Sequence, residues 1–250
     1  MYMDPHPEIH RSENQPLAVF VDFDGTITTR DIGDQVVMNF AEPGWDEAID
    51  RYRMGELNVR DLWSFEIGLL RREREAETVA HTIGIAEIRE GFAEFIEYSE
   101  SHGIPVEVVS SGMNFYVDAI LDGNGFGSLA RARPTVEYDE HGFGVMVMAG
   151  GLRDCGMTAM CKCDRLWRLR RKGFRVMFVG DGVSDECVVS QADIVLATSS
   201  LREICESKGI DHVPFETFHE VLDVVKTSGA TDSSSGGYPP SIRGRELEGG

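Results

Sequence analysis

Two aspartates stand two residues apart at the end of an apolar stretch near the start of the chain. Residues Leu17 to Val21 form a short, β-rich run, and Asp22 and Asp24 follow it within the pentapeptide Asp-Phe-Asp-Gly-Thr. Side chains alternate along a strand, so both carboxyl groups start on the same side. Two carboxylates held close together repel each other and favour a bound cation. A carboxylate can also attack phosphorus, and a carboxylic acid can donate a proton.

Other residues that could take part in chemistry lie just after, or just before, further predicted strands. The run 104–110 ends in Ser110-Ser111-Gly112, and the run 174–180 ends in an acidic stretch with Asp181 and Asp185; Lys162 lies on a loop before the latter run. Each signal alone has a structural alternative, since an Asp-Gly pair makes turns and serine caps helices. Together they predict one crevice at the carboxyl ends of parallel strands, where ligands bind in open α/β sheets.

The chemistry that needs this set is phosphoryl transfer through a carboxylate. Attack by a carboxylate on a phosphate ester brings two anions together, and Mg²⁺ held by carboxylates neutralises the charge. A lysine adds positive charge on the phosphoryl oxygens, and a serine hydroxyl with backbone N–H groups at a helix start offers a phosphate site. The leaving alkoxide needs an acid and the hydrolytic water needs a base, which one second carboxyl can supply in turn.

Composition limits the partners. The 250 residues carry a formal charge of −19, with 42% hydrophobic and 27% charged residues. This field repels nucleic acid and anionic membranes, so we expect neither as a partner. No apolar run approaches the roughly 20 residues that cross a bilayer, and the polar N-terminus lacks a signal core. We therefore expect a cytoplasmic protein with a small phosphorylated metabolite as its partner, either a monomer or a homodimer.

The pattern along the chain predicts an α/β fold, a Rossmann-like parallel sheet core with an inserted helical cap domain. Between the first two strands lie about 70 residues of mostly helical periodicity, far more than a simple crossover needs. The alternative is a long helical excursion packed on the sheet. The predicted division of the chain is a flexible leader at 1–16, a core at 17–30 and 87–226, a helical cap at 31–86 and a disordered tail at 227–250.

The four motifs resemble those of the haloacid dehalogenase superfamily of phosphatases, over about Leu17 to Lys226. The resemblance implies a Rossmann-like core, Mg²⁺ and an aspartyl-phosphate intermediate. It implies Asp22 as nucleophile and metal ligand, and Asp24 as general acid and base whose carbonyl oxygen also binds the metal. The remaining implied roles are phosphate binding by Ser110, Ser111, Gly112 and Lys162, metal binding by Asp181, and support of the metal site or of Lys162 by Asp185.

The cap is similar to that of the phosphoserine phosphatase-like branch. Residues 86–92, the cysteines before Lys162 and residues 213–219 resemble the group with the methionine-salvage enol phosphatase (2-hydroxy-3-keto-5-methylthiopentenyl-1-phosphate phosphatase) and the phosphoethanolamine and phosphocholine phosphatases. Phosphoserine phosphatases are the nearest alternative. Those enzymes hold the amino acid with an acidic residue, which Asp31 matches, and with an arginine of the cap. The position of that arginine falls near Ser64 in this chain, and Arg60 is the nearby residue that could take its role.

Several choices stay open at the level of sequence. Substrate selection is expected on the cap, near Asp31, Asn39, Trp45, Arg53 and Trp63, each of which could instead be packing or surface. The substrate could also be a sugar or cyclitol phosphate. A phosphotransferase or a non-catalytic binding protein is possible on the same fold. The cysteines at 155, 161 and 163 do not match a standard zinc spacing, and reduced thiols or a metal or redox role are the alternatives.

Overall fold

The computed structural model describes residues 15–147 and 161–229. Within these residues the strands are β1 Leu17–Val21, β2 Val106–Val109, β3 Ala130–Ala132, β4 Thr135–Tyr138, β5 Gly144–Val147, β6 Arg175–Gly180, β7 Ile194–Ala197 and β8 Val213–Pro214. The helices are α1 Ile32–Phe40, α2 Trp45–Arg53, α3 Val59–Ile67, α4 Glu75–Ile85, α5 Phe92–Ser101, α6 Asn114–Gly123, α7 Lys162–Arg171, α8 Glu186–Val189, α9 Ser199–Lys208 and α10 Phe218–Gly229. Most of the predicted leader and tail, and Cys155, lie outside the described residues.

Six strands form one parallel sheet in the order β3-β2-β1-β6-β7-β8. The central strand β1 pairs with β2 on one side and β6 on the other, so that Val21 lies opposite Val108 and Val179. All carboxyl ends therefore meet at one edge, and the predicted α/β fold with a Rossmann-like sheet is confirmed. The edge strand β8 contains Pro214, which lacks the N–H that a central strand would need.

The apolar composition of β1 follows from its position. Its five residues are all buried, because helices cover both faces of the sheet. Val19 and Val21 face a core shared with α5, α6 and α10, while Phe20 faces a second core with α7, α8 and α9. Because both faces of β1 are covered by apolar packing, polar side chains can be accommodated only beyond its carboxyl end.

Helices α1 to α4 lie between β1 and α5 in the sequence. The segment that leads into them and the segment that leads out of them run beside each other. Thr28 and Ile88 form an antiparallel bridge, and the Thr29 N–H donates to the Glu87 carbonyl at 2.9 Å. The sequence from about Glu87 to Ser101 has helical periodicity, but because residues 86–90 pair in this way, helix α5 begins only at Phe92. Gly91, at φ +81°, precedes it.

Alternating residues over 136–147 around a turn at 140–142 predict a hairpin. The antiparallel hairpin β4–β5 forms there, and it packs on the helical region. The Gly144 N–H donates to the Leu70 carbonyl at 3.0 Å, and the Arg72 N–H donates to the Gly142 carbonyl at 2.9 Å. A side chain at Gly144 would place its Cβ 2.3 Å from the Ile67 carbonyl oxygen, so the close approach requires glycine. The hairpin thus fastens the connection between α3 and α4 to the later part of the chain.

Among the residues with described positions, no helix combines the length and apolar character that a membrane crossing would require.

Candidate active site

The turn after β1 brings the first two aspartates into the site. The Asp22 N–H continues the sheet by donating to the Val179 carbonyl at 2.9 Å, and its Oδ1 accepts from the Phe23 N–H at 2.7 Å. Gly25 then turns the chain at φ +70°, and a Cβ there would lie 2.2 Å from Oδ2 of Asp181. A glycine is therefore required both by the backbone conformation and by the approach of the Asp181 carboxylate.

Lys162 is the charged centre of the site. It is the first residue of α7 and is fully buried. Its Nζ lies 2.7 Å from Oδ2 of Asp22 and 2.5 Å from Oδ1 of Asp185. Burial by itself lowers the pKa of Lys162, but the carboxylates of Asp185 and Asp22 outweigh it and raise the pKa above its ordinary value. The lysine therefore carries a positive charge at neutral pH.

Three carboxylates converge beside this lysine. Oxygen atoms of Asp22, Asp181 and Asp185 all lie within 4.8 Å of one another. Burial, followed by the charge of Asp185, raises the pKa of Asp181 to about 7. Burial and Asp185 also raise the pKa of Asp22, against the effect of Lys162. One lysine does not neutralise three acids, and an all-oxygen donor set of this kind fits a hard divalent cation.

The metal-binding prediction named Asp22, the backbone carbonyl of Asp24 and Asp181, with Asp185 in a supporting role. The structure brings carboxylate oxygens of Asp22, Asp181 and Asp185 together, which leaves the predicted role of the Asp24 carbonyl untouched. Asp24 points toward α1, where its Oδ1 accepts from the N–H groups of Ile32 at 3.0 Å and Gly33 at 3.3 Å.

The other oxygen of Asp24, Oδ2, accepts from the Tyr116 hydroxyl at 2.8 Å. A side chain at Gly112 would place its Cβ 2.4 Å from this oxygen. Burial, with a contribution from the charge of Asp31, raises the pKa of Asp24 well above its ordinary value. A carboxyl group held in fixed orientation with a raised pKa is suited to donate and accept a proton.

The loop after β2 divides its two serines between two tasks. Ser110 is fully buried, and its Oγ accepts from the Gly112 N–H at 2.8 Å, which shapes the loop. The Oγ of Ser111 is buried and has no hydrogen-bond partner among the described residues. Ser111 and Gly112 line the cavity described below, whereas Ser110 is not among its lining residues. Ser111 therefore has unused hydrogen-bonding capacity at this site.

A cavity of about 400 Å³ separates the sheet edge from helices α1 to α3. Of the residues predicted to select substrate, Asp31, Arg53 and Trp63 line it. Asn39 does not, since its amide donates to the Gln35 carbonyl at 2.7 Å, and Trp45 packs against the apolar core. Arg60 and Ser64, considered for the phosphoserine alternative, are also not among the lining residues.

Tyr116 and Arg89 contact the site residues but were not found from the sequence. Tyr116 lies on α6 amid ordinary helical periodicity, which gives no signal for its bond to Asp24. Arg89 donates to the backbone carbonyls of Gly25 at 2.5 Å, Thr26 at 2.8 Å and Glu216 at 3.0 Å. It stands inside the segment 86–92 that carried the resemblance, so that segment could have indicated it. Thr26 in turn donates its hydroxyl to Asp181 at 3.1 Å, so Arg89 supports the turn that contacts the Asp181 carboxylate.

The cysteines form no second metal site within the described residues. Cys161 and Cys187 both contact the thiol of Cys163 by hydrogen bonds. Over residues 15–147 and 161–229, the aspartate group is the one place where three or more His, Cys, Asp or Glu ligand atoms converge. Cys161 and Cys163 form no disulfide bond among these residues, and reduced thiols or a redox role remain the alternatives for them.

Comparison with known proteins agrees with this site. The model of the haloacid dehalogenase-like hydrolases matches residues 19–188. A protein of Exiguobacterium sp. named 2-hydroxy-3-keto-5-methylthiopentenyl-1-phosphate phosphatase is 33% identical over 83% of this chain and 96% of its own, and a Geobacillus thermodenitrificans protein of the same name is 32% identical over 83% and 94%. Phosphoserine phosphatase from T. onnurineus has the same fold, with a TM-score of 0.61 and 18% identity over 90% of this chain and 98% of its own. The predicted family and its phosphatase class are confirmed, and the chain belongs to the haloacid dehalogenase-like hydrolases.

Proposed function

We propose that this protein is a Mg²⁺-dependent phosphomonoester phosphatase that acts on a small phosphorylated metabolite through an aspartyl-phosphate on Asp22. The observation that carries the proposal is the fully buried Lys162 between Asp22 and Asp185, beside the third carboxylate of Asp181. Asp22, Asp181 and Asp185 would hold Mg²⁺, which supplies charge neutralisation when bound.

The chain's own residues support both halves of the reaction. An oxygen of Asp22 bonds to phosphorus while the bond from phosphorus to the ester oxygen breaks, and Asp24 gives its proton to that leaving oxygen. Water then attacks phosphorus, Asp24 takes its proton, and the bond from phosphorus to Asp22 breaks. Inorganic phosphate and the free carboxylate result. Ser110, Ser111, Gly112 and Lys162 would bind the phosphoryl oxygens, and the Ser111 hydroxyl at the cavity, without a partner among the described residues, supports this role.

The first substrate to test is the enol phosphate on which the named relatives act. Phosphate release would be measured from this compound, phosphoserine, phosphoethanolamine and several sugar and cyclitol phosphates, with Mg²⁺ and with chelator. We expect release that chelator abolishes. A product that forms only with an added alcohol acceptor would favour the phosphotransferase alternative.

The nucleophile has a direct test. Asp22→Asn keeps the shape of the side chain but cannot form the intermediate, so we expect turnover to fall by at least about 10⁴-fold, the scale of losing a covalent catalytic residue. Asp46→Asn, at an exposed position of α2, is the matched control and should retain activity. Activity of Asp22→Asn within tenfold of the unmodified protein would refute the mechanism.

Phosphoserine is the second candidate because Asp31 lines the cavity and offers a carboxylate partner for its amino group. Preferred release from phosphoserine over phosphoethanolamine would favour it. The cap and core boundaries, the oligomeric state and the cytoplasmic location remain predictions.

A further inference from the structure

A buried carboxyl group on α3 has no partner in the proposed mechanism. Glu66 is 6% exposed and lines the cavity. Its carboxyl accepts no hydrogen bond and forms no ion pair among the residues that the structure describes. Burial of a carboxylate without a partner is unfavourable. A side chain kept in this position therefore indicates a partner that arrives from outside the chain.

The acidic residues around Glu66 favour a positively charged partner. Asp34 and Asp31, at the start of α1, are close enough that their charges, after burial, help to raise the pKa of Glu66 to about 7. Arg53 is the basic residue among those that line the cavity. It faces outward instead, with its side chain 72% exposed and its guanidinium 3.2 Å from Asp50.

The spacing of these acids favours an organic cation over a metal ion. The oxygens of Asp22, Asp181 and Asp185 all come within 4.8 Å of one another, and Asp31, Asp34 and Glu66 form no such group. A wider space between carboxylates suits an ammonium group, which has three N–H donors and a larger radius. Trp63 and Tyr52 line the same cavity, and aromatic rings also attract ammonium groups.

We infer that the side of the cavity formed by Glu66 and Asp34, together with Asp31, binds an amino group of the substrate, and that the substrate is therefore a phosphomonoester of an amine-bearing alcohol. The inference rests on the proposed phosphatase function, because the phosphoryl group must occupy the other end of the same cavity at Asp22. The name of the relatives' substrate contains hydroxy, keto and methylthio groups and no amine. This chain thus selects a different ester from that of its relatives.

The test uses pairs of esters that differ in one group. 2-Aminoethyl phosphate is compared with 2-hydroxyethyl phosphate, and glucosamine 6-phosphate with glucose 6-phosphate, by kcat/KM with Mg²⁺. In at least one pair we expect the amine ester to be preferred by roughly tenfold or more, the scale of one hydrogen bond to a charged group. Glu66→Gln should reduce this ratio by about tenfold. Glu47→Gln, at an exposed position of α2, is the matched control and should keep it.

Stability separates a binding role from a structural one. Glu66→Gln removes a buried unpaired charge, so its melting temperature should equal or exceed that of the unmodified protein while the preference falls. No preference in either pair, or a preference that Glu66→Gln leaves intact, would overturn the inference even if phosphate is released.

Failure of the proposed function would look different. No release from any of these esters or from p-nitrophenyl phosphate would reject the phosphatase proposal. Calorimetric titration of the same four esters then decides the inference by itself. Tighter binding of an amine ester, reduced in Glu66→Gln, would support the amine site, and equal or absent binding would overturn it.

Discussion

Substitution of Asp181 tests how much the repulsion among the three carboxylates lowers the free energy of unfolding when no metal is bound. Oδ1 of Asp181 accepts from the Thr26 hydroxyl at 3.1 Å, while burial and Asp185 raise the pKa of Asp181 from the ordinary 3.8 to about 7. Asp181→Asn keeps the volume and an oxygen that accepts from Thr26, but it removes the charge. The variant therefore isolates the electrostatic contribution of this carboxylate to the free energy of unfolding.

The size of this electrostatic contribution and the pH range over which it changes follow from the pKa of Asp181. A raised pKa means that the folded state binds the proton more tightly than the unfolded state. The contribution of Asp181 to stability is thus complete below about pH 4 and is lost as the pH rises toward about 7. Each tenfold change in the proton equilibrium is worth about 1.4 kcal/mol, which gives an upper limit of about 4 kcal/mol at pH 8.

Asp22 and Asp185 contribute to the same repulsion, so we expect Asp181→Asn to raise the free energy of unfolding by about 2–4 kcal/mol at pH 8 in chelator. For a domain of this size the melting temperature should rise by about 5–15 °C. Thermal melts at pH 5 and pH 8, with chelator and with Mg²⁺, make the measurement. Mg²⁺ should stabilise the unmodified protein and not the variant.

Asp46→Asn serves as the control for the exchange of aspartate for asparagine at an exposed position. A melting temperature of Asp181→Asn below that of the unmodified protein at pH 8 in chelator would refute the reasoning. It would mean that Lys162 and bound water already neutralise the three carboxylates.

Two further substitutions test the groups that hold these carboxylates in place. Lys162→Met leaves Asp22 and Asp185 buried without their cation, so urea unfolding in chelator should show a loss of about 3–5 kcal/mol; an unchanged midpoint would contradict the role of the buried pair. Arg89→Lys cannot reach all three carbonyls and should loosen the turn at Gly25 and Thr26. Calorimetric titration should then show Mg²⁺ binding weakened by about fivefold or more, the scale of one net hydrogen bond. Arg133→Lys, at a surface ion pair with Asp118, is its control, and equal Mg²⁺ affinity in both variants would argue against the connection.

Much of the fold was predictable because its signals are local. Five consecutive apolar residues in β1 require cover on both faces, and that requirement predicts a parallel sheet with helices on each side. The acids Asp22, Asp24, Asp181 and Asp185 were found because each follows a strand, and strand ends share an edge. The hairpin was recognised from alternation and from its turn around Gly142.

Other parts depend on contacts between distant segments that no local pattern records. The bond from Tyr116 to Asp24 joins residues 92 positions apart, and a tyrosine on a buried helix face looks like packing. The direction of the Asp24 side chain is also a tertiary matter, since its carboxyl accepts from the N–H groups at the N-terminus of α1. Glu66 was overlooked because a charged residue on a helix reads as solvent-facing until its burial is known.

The contact between the hairpin and the α3–α4 connection bears on the order of folding. Gly144 pairs with Leu70, and Arg72 with Gly142, across about 70 residues of chain. Helices α1 to α4 therefore emerge from the ribosome well before the segment that fastens them. Contacts of such long range form late, because the loop they close must first lose its entropy. The helical region and the sheet behind it should consequently reach their final packing together, and the acidic cavity, which residues 181–184 also line, is complete only after those residues have been synthesised.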